Sequence, residues 1–256
     1  MIYQLISYLK FLTRATNQHG VHSPFVYKLI TECFYDRSEY AAYKILADHR
    51  SHLFNDLDAI EVLDFGAGSR VFKSNVRKIS AIAKNAGIRK KRQQLLYRLV
   101  NYLEPATILE LGTSVGLSTM ALALGNKEAT VTSLEGCPQT SKKAQQYFDR
   151  FQMHNIDLHN VEFENYLSNS TEIYDLIFID GNHSKEKTIA YFNSLRKHVN
   201  NNSLIIFDDI YWSKEMTAAW KEIIADDSVT VSIDTFQWGL VFFRKEQKKQ
   251  HFNVRM

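Results

Sequence analysis

The stretch that decides the fold is Thr107-Ile-Leu-Glu-Leu-Gly-Thr-Ser-Val-Gly-Leu-Ser-Thr-Met120. Its first five residues form an apolar strand, Gly112 allows a sharp turn, and a helix begins near Gly116. A second apolar strand starts at Ala129 and ends in the carboxylate of Glu135, about 20 residues after the turn. A glycine turn after one strand and an acid after the next strand is the arrangement that holds a ribose in nucleotide-binding α/β folds.

The turn carries several groups that can bind a polar ligand. The first backbone N–H groups of a helix have no acceptor within the helix, and Thr113, Ser114 and Ser118 add hydroxyls beside them. Ser114 stands where a dinucleotide-binding loop has its middle glycine, and a carboxylate at Glu110 would repel a pyrophosphate. The loop therefore favours a ligand with an ammonium group over a dinucleotide.

The pattern E-x-G-x-S-x-G-x-S over residues 110–118 resembles the cofactor loop of class I S-adenosylmethionine (SAM)-dependent methyltransferases. Within that class it is most similar to the O-methyltransferases of the catechol and caffeoyl-CoA type, and the resemblance extends over residues 93–244. It implies SAM as the cofactor, with Glu135 on the ribose, Glu110 on the amino-acid end, and Glu164 or Asn165 near the adenine. The predicted cofactor-binding residues are Glu110, Gly112, Thr113, Ser114, Gly116, Ser118, Glu135, Gly136, Glu164, Asn165 and Asp180.

Two later segments, Phe178–His183 and Phe207–Trp212, also resemble the catechol-type enzymes. In those enzymes the matching residues hold Mg²⁺, so the resemblance implies Asp180, Asp208 and Asp209 as metal ligands. This chain has Asp209 where the family has an amide, and His183 where the family has the lysine that takes the substrate proton.

His183 and Asp180 are accordingly the predicted catalytic residues, with His183 as general base. The alternative interpretation of His183 is a loop residue hydrogen-bonded to Asp180 or to a helix start, and that of Asp209 is helix capping. Tyr211 and Trp212 are candidates for the roof over the substrate.

From residue 106 onward, strand and helix patterns alternate. Strands are predicted at 106–111, 130–135, 160–164, 174–180, 203–208, 229–235 and 239–243. This alternation predicts a doubly wound, Rossmann-like α/β fold with a seven-stranded, mostly parallel sheet that includes a terminal antiparallel strand. We expect an N-terminal helical cap and substrate region at 1–104, a methyltransferase core at 105–245, and a frayed basic tail at 246–256.

The region before the core contains a second glycine-rich loop, Asp64-Phe-Gly-Ala-Gly-Ser69. No second strand ending in an acid follows it, so we place the cofactor at 110–118 and expect the 64–69 loop to fold over the site as part of the cap. Residues 70–92 then hold nine Lys or Arg and no acid. Such a run is typical of a solvated helical face, and the alternative is attraction of an anionic substrate or RNA.

Composition narrows the function classes. The chain has 256 residues. Its net charge of +3 is too small by itself to indicate a nucleic-acid partner. Its two cysteines give no disulfide framework and suit a reducing cytoplasm. Since no apolar run reaches membrane-spanning length, no membrane partner is expected. We expect a cytoplasmic SAM-dependent methyltransferase acting on an oxygen of a small-molecule acceptor, compatible with a homodimer. The alternatives are an RNA methyltransferase, a non-catalytic SAM-binding protein and, disfavoured by Ser114 and Glu110, a nucleotide-dependent oxidoreductase.

Overall fold

The computed structural model describes residues 2–63 and 74–256. Its α-helices are α1 (Ile2–Leu12), α2 (Pro24–Lys28), α3 (Ala41–Asn55), α4 (Ile79–Asn85), α5 (Lys90–Leu103), α6 (Leu117–Gly125), α7 (Pro138–Arg150), α8 (Phe163–Asn169), α9 (Lys185–Leu195) and α10 (Lys214–Ala225). Its strands are β1 (Ala59–Glu61), β2 (Val76–Lys78), β3 (Thr107–Leu111), β4 (Thr130–Leu134), β5 (Ile156–His159), β6 (Leu176–Ile179), β7 (Leu204–Asp208), β8 (Val231–Asp234), β9 (Trp238–Phe242) and β10 (Gln250–Asn253). A π-helix at Leu29–Phe34 continues α2.

The chain divides into two compact units, and the eight strands of its mostly parallel sheet divide between them. One unit holds residues 36–166 and the other holds residues 1–35 and 167–256. The predicted Rossmann-like α/β class is confirmed, with eight strands in the sheet where seven were predicted. The units do not coincide with the predicted domains, because residues 36–104 share a unit with β3, β4 and β5.

In the unit of residues 36–166, β3 pairs with β4 and β4 with β5, all in parallel. Every side chain from Ile108 to Leu111 and from Val131 to Leu134 is buried, as expected for parallel strands covered on both faces. The register sets Glu110 directly opposite Ser133. The apolar strands that the sequence predicted at 106–111 and 130–135 therefore form, and their carboxyl ends lie side by side.

The predicted strand at 160–164 is wrong. The strand that pairs with β4 is β5, which ends at His159, and Phe163 already starts helix α8. Both segments alternate apolar and polar residues, so periodicity alone did not separate them. Glu164 and Asn165 consequently lie in the first turn of a helix.

In the other unit, β6 and β7 are parallel, and β9 pairs antiparallel with both β7 and β8. The antiparallel pairing predicted for the last two strands is confirmed by β8 and β9, with β10 outside this pair at the edge of the sheet. The tail is not frayed: β10 pairs in parallel with β8, from Gln250 opposite Val231 to Asn253 opposite Asp234. Its sequence is polar because it lies on the edge of the sheet, where backbone pairing rather than burial stabilises a strand.

The region before the core is mainly helical, as predicted, and Ser23 accepts the Val26 N–H at 3.4 Å to cap α2. It also contains an antiparallel hairpin of β1 and β2 that the sequence did not predict. The 64–69 loop lies outside the described residues. Over the described part of the chain, no helix is both long and apolar enough to cross a membrane.

Candidate functional site

The turn between β3 and α6 has an unusual backbone. Gly112, Ser114 and Gly116 all have positive φ, at 106°, 51° and 83°. The N–H groups of Gly112 and Thr113 both donate to the carbonyl of Leu134 at the end of β4, at 3.0 and 3.2 Å. The two strand ends are thus joined by backbone hydrogen bonds, and the turn is fixed against β4.

Glu135 closes this arrangement from the β4 side. Its Oε2 accepts the Ser114 N–H and its Oε1 accepts the Cys137 N–H, both at 2.8 Å. Burial raises the pKa of Glu135 against the opposing effect of these two N–H groups, and the nearby charge of Glu110 raises it further. Each carboxylate oxygen keeps one lone pair, so the side chain can accept two further hydrogen bonds from a ligand.

Glu110 lies completely buried under the turn. Its Oε2 accepts hydrogen bonds from the hydroxyls of Thr119 and Ser133, each at 2.5 Å, and Ser133 is itself within 2.6 Å of the Thr113 hydroxyl. Burial raises the pKa of Glu110, while the hydroxyls of Ser118, Ser133 and Thr119 act in the opposite direction. Its Oε1 has no hydrogen-bond donor within residues 2–63 and 74–256.

An unpaired oxygen on a buried carboxylate is costly, and an ammonium group or an ordered water would satisfy it. The contact of Glu110 with the amino-acid end of SAM stays a prediction, and the unpaired Oε1 is the atom that it concerns. Ser118, predicted as a cofactor contact, lies in the first turn of α6 and is buried.

Two supports of the turn were not predicted. Gly116 approaches the Phe148 ring so closely that an added Cβ would lie 2.5 Å from a ring atom. The buried Gln93 donates to the carbonyl of Leu117 at 2.6 Å and accepts from Arg50 at 2.8 Å, which fixes the start of α6. A glutamine in an otherwise apolar helix face was the available sequence signal for the second support.

The segment after β4 is held from two sides. Asn160 donates to the carbonyls of Glu135 and Gly136 at 2.7 and 3.1 Å, so the predicted contact Gly136 lies in a fixed loop. The buried thiol of Cys137 accepts the Leu63 N–H at 3.4 Å and lies 3.7 Å from the Glu61 carbonyl. Glu164 and Asn165 follow a few residues after Asn160, at the start of α8.

The second group of predicted site residues follows β6 in the other unit. The His183 N–H donates to the Gly181 carbonyl at 2.9 Å, and Asn182 between them has φ 66°. This is a three-residue turn of the strained kind, and His183 itself has φ 29°. The imidazole Nε2 of His183 lies 3.6 Å from Oδ1 of Asp180, and its ring centroid lies 5.7 Å from that of Trp212.

After β7, the predicted metal ligands Asp208 and Asp209 are adjacent, and Asp209 is also strained, with φ 51°. The Asp209 N–H donates to the carboxylate of Asp208 at 2.9 Å, and the Asp209 carbonyl accepts the Trp212 N–H at 2.8 Å. In the described part of the chain, no three His, Cys, Asp or Glu side chains are grouped closely enough to hold a metal ion. The arrangement of Asp180, Asp208 and Asp209 thus does not fit the three-carboxylate site that the resemblance implied.

Tyr211, predicted as part of the substrate roof, is held by a buried acid. Its hydroxyl donates to Asp234 at 2.7 Å, and its ring stacks on Phe236 at 4.8 Å with 14° between the planes. Tyr8 and Phe11 of α1 also contact Phe236, with ring centroids 4.8 and 5.6 Å away. An aromatic cluster therefore follows β7 in this unit.

Comparisons with known proteins agree with this architecture. Residues 109–210 match the family model described as a methyltransferase domain. They contain the turn after β3, the loop after β6 with the predicted catalytic residues, and the predicted metal ligands Asp208 and Asp209. A stretch of 55 residues is 40% identical to an uncharacterised protein of Acanthamoeba polyphaga mimivirus. That stretch is 20% of this chain and 25% of the viral protein, so the chain matches only a quarter of that relative's length.

Three solved structures illustrate the fold. A Podospora anserina methyltransferase bound to S-adenosylhomocysteine (SAH) is 14% identical, with a TM-score of 0.62, and the match covers 88% of this chain and 97% of that one. An O-methyltransferase from Bacillus cereus in complex with SAH is 17% identical, with a TM-score of 0.55, and the match covers 82% of this chain and 94% of that one. A putative caffeoyl-CoA O-methyltransferase from Staphylococcus aureus is 17% identical, with a TM-score of 0.55, and the match covers 78% of this chain and 98% of that one.

The chain thus has the fold of the class I SAM-dependent methyltransferases. Among proteins of that fold it is similar to O-methyltransferases, including a putative caffeoyl-CoA O-methyltransferase, and the resemblance that the sequence indicated is confirmed.

Proposed function

We propose that the protein is a SAM-dependent methyltransferase that transfers a methyl group to an oxygen of a small-molecule acceptor. The observation that carries this proposal is the turn after β3, where the carboxylate of Glu135 is aligned by two backbone N–H groups above the buried carboxylate of Glu110. The SAH bound in the Podospora anserina and Bacillus cereus structures supports the choice of ligand.

The residues at the turn match the chemical groups of SAM. The remaining lone pairs of Glu135 would accept the two ribose hydroxyls, and the unpaired Oε1 of Glu110 would accept the ammonium group. A cation beside the carboxylates of Glu110 and Glu135 also relieves their mutual repulsion. The hydroxyl of Ser118 and the backbone around Ser114 are proposed to bind the carboxylate end, and Glu164 or Asn165 the adenine.

When bound, SAM supplies a methyl group that is already activated by its sulfonium. What remains for this chain is to position the acceptor hydroxyl and to remove its proton. We assign the proton to Nε2 of His183, which Asp180 stabilises once the imidazole is charged. The contact with the Trp212 ring and the strained turn at Asn182 keep the imidazole in one orientation, as catalytic geometry requires.

No step of this proposal runs through a metal ion, since the described residues do not gather a three-carboxylate site. Mg²⁺ stays a prediction of the resemblance alone. Turnover that EDTA abolishes and Mg²⁺ restores would support it, and full turnover in EDTA would reject it.

Calorimetry with SAH and with NAD(H) tests the cofactor assignment. SAH should bind and NAD(H) should not, and Glu135→Ala should weaken SAH binding by about tenfold or more because two charge-assisted hydrogen bonds are lost. Glu128→Gln changes an exposed acid on the turn before β4 and serves as the matched control. Unchanged SAH affinity in Glu135→Ala would remove Glu135 from the site.

A screen of hydroxylated metabolites for methyl transfer tests the acceptor class. Binding of SAH without transfer to any acceptor would favour the non-catalytic alternative. RNA is the remaining alternative acceptor, and the exposed Arg89, Lys90 and Lys91 at the start of α5 are the residues it would contact. RNA binding that falls steeply with salt would favour that alternative.

Two further expectations belong to this proposal. Neither Cys33 nor Cys137 takes part in a disulfide, which fits the reducing cytoplasm that we propose as the location. A homodimer stays a prediction, which light scattering of the purified protein would decide.

A further inference from the structure

Helix α1 presents an apolar stripe to solvent. Ile2, Leu5, Ile6 and Leu9 are 78, 61, 47 and 56% exposed. Their spacing of i, i+3, i+4 and i+7 places all four side chains on one face of the helix. Single exposed apolar residues are common on protein surfaces, but a continuous stripe of large aliphatic side chains marks an interaction surface.

The opposite face of α1 holds the helix on its own unit. Phe11 is 2% exposed, the Tyr3 hydroxyl donates to Thr217 at 2.7 Å, and the Tyr8 ring meets Phe236 at 4.8 Å. The helix is therefore anchored through one face while the aliphatic face points outward. The contacts of Phe11, Tyr3 and Tyr8 hold α1 in place without the aliphatic stripe, so the stripe is not needed for packing within the unit.

The charges around α1 select the partner. Residues 2–31 contain Lys10, Arg14 and Lys28 and no Asp or Glu, since the first acid of the chain is Glu32. Lys10 and Arg14 are both exposed and lie at the end of the helix. An aliphatic stripe beside the exposed Lys10 and Arg14, with no acid among residues 2–31, matches a surface that is apolar below and negatively charged above, as anionic lipid headgroups are.

A second copy of the chain fits less well. A specific protein interface engages about 20–30 residues a side, far more than one stripe of four residues on an 11-residue helix provides. A second α1 would also bring further cations and no acid to pair with them.

We propose that α1 binds the surface of an anionic lipid bilayer, with the axis of the helix in the membrane plane and Ile2, Leu5, Ile6 and Leu9 in the acyl boundary. The expectation of no membrane partner rested on the length of apolar runs, and binding in the membrane plane requires no spanning segment. The methyl-transfer proposal does not enter this inference.

Sedimentation of the full chain with lipid vesicles tests the inference. The protein should sediment with vesicles of phosphatidylcholine mixed with phosphatidylglycerol, and sediment less as salt is raised. It should bind vesicles of phosphatidylcholine alone roughly tenfold less or weaker still, because the cations then have no counter-charge.

Two variants separate the stripe from the charges. Leu5→Ser/Leu9→Ser should lower binding to the anionic vesicles by about tenfold or more, and Lys10→Glu/Arg14→Glu should lower it comparably. Leu57→Ser/Val76→Ser removes two aliphatic side chains that are 71 and 60% exposed outside α1, and should leave binding unchanged. Since all substituted side chains are exposed, thermal unfolding should stay as in the wild type, which checks that each variant is folded.

Failure to sediment with anionic vesicles at low salt would overturn the proposal. So would equal loss of binding in Leu57→Ser/Val76→Ser. A dimer in light scattering that Leu5→Ser/Leu9→Ser dissociates, without any vesicle binding, would also overturn it and assign the stripe to a second copy. SAH affinity measured alongside reports on the proposed function independently of these outcomes.

Discussion

The backbone N–H of Ser114 donates to the Glu135 carboxylate at 2.8 Å, so the turn after β3 and the acid after β4 form one hydrogen-bonded structure. Ser114 reaches this position only because its φ is 51°, in the left-handed region. Ser114, which stands where a dinucleotide-binding loop has its middle glycine, thus orients the Glu135 side chain that we assign to the ribose. The ligand would meet a carboxylate that is already oriented.

The first prediction concerns pH and SAH affinity. Burial raises the pKa of Glu135, so the free protein takes up this proton at a higher pH than an ordinary glutamate does. Ribose hydroxyls donate more strongly to the ionised carboxylate than to the protonated acid, so bound ligand lowers the pKa of Glu135 again. Affinity should be full above the pKa of the free protein and should fall as the pH drops below it, by up to about tenfold per pH unit.

Calorimetric titrations with SAH over a series of pH values measure this dependence. Glu135→Gln should bind SAH weakly, and its SAH affinity should no longer fall with decreasing pH. Glu128→Gln should keep the pH dependence of the wild type. A Glu135→Gln protein that retained the full pH dependence would assign the titration to another group, Glu110 being the nearest.

The second prediction is that Glu110→Gln stabilises the apo protein while it weakens cofactor binding. Because burial raises the pKa of Glu110 above its unfolded value, its contribution to stability is present below the unfolded pKa and is lost as the pH rises through the folded pKa. Wild type and variant should therefore have similar free energies of unfolding near about pH 4, and the variant should be the more stable at neutral pH.

Urea unfolding of both proteins across that pH range tests the second prediction, with SAH affinity measured in parallel. The amide can still accept from Thr119 and Ser133 but cannot pair with an ammonium group. A variant that loses stability equally at all pH values would show that the carboxylate is not held at a cost.

These residues also show how far sequence reasoning reaches. The glycine turn and the acid after the second strand were predictable, because their backbone and charge requirements are local to residues 107–135. The sequence did not reveal that Glu110 is fully buried and accepts hydrogen bonds from the hydroxyls of Ser133 and Thr119. Ser133 lies on the neighbouring strand β4, opposite Glu110, and Thr119 lies in the first turn of α6. The register of β3 and β4 decides whether Glu110 and Ser133 meet.

The errors have similar physical causes. The strand assigned to 160–164 was placed four residues late because Ile156–His159 has the same alternation, and pairing with β4 decides between them. The metal ligands Asp180, Asp208 and Asp209 stay a prediction, and the backbone strain at Asp209 and its N–H bond to Asp208 were not visible in the sequence. Supports such as Gln93 and Asn160 are long-range contacts and were missed for the same reason.

The third prediction concerns Gly116. With φ 83° and a ring atom of Phe148 2.5 Å from an added Cβ, Gly116→Ala combines a left-handed backbone with a steric clash. The backbone alone should cost roughly 1–2 kcal/mol of unfolding free energy. Displacement of the start of α6 should also weaken SAH binding.

A double-mutant cycle with Phe148→Leu separates the two costs of Gly116→Ala. Removing the ring should relieve the clash but leave the backbone cost, so the two substitutions should be less destabilising together than the sum of their separate effects. Additive losses in urea unfolding would mean that the ring moves aside freely and that only the backbone matters.

The last prediction concerns His183. If Nε2 takes the proton of the acceptor hydroxyl, His183→Ala should lower kcat by about 10²–10⁴-fold, with SAH affinity unchanged because the turn after β3 is intact. Single-turnover methylation of an acceptor found in the metabolite screen measures the chemical step directly. His154→Ala, which changes an exposed histidine outside the loop, should turn over like the wild type. Asp180→Asn should give an intermediate loss, because it leaves the imidazole in place but removes the charge 3.6 Å away that stabilises its protonated form. Wild-type turnover in His183→Ala would show that His183 is not the general base and that the strained loop after β6 has a structural role only.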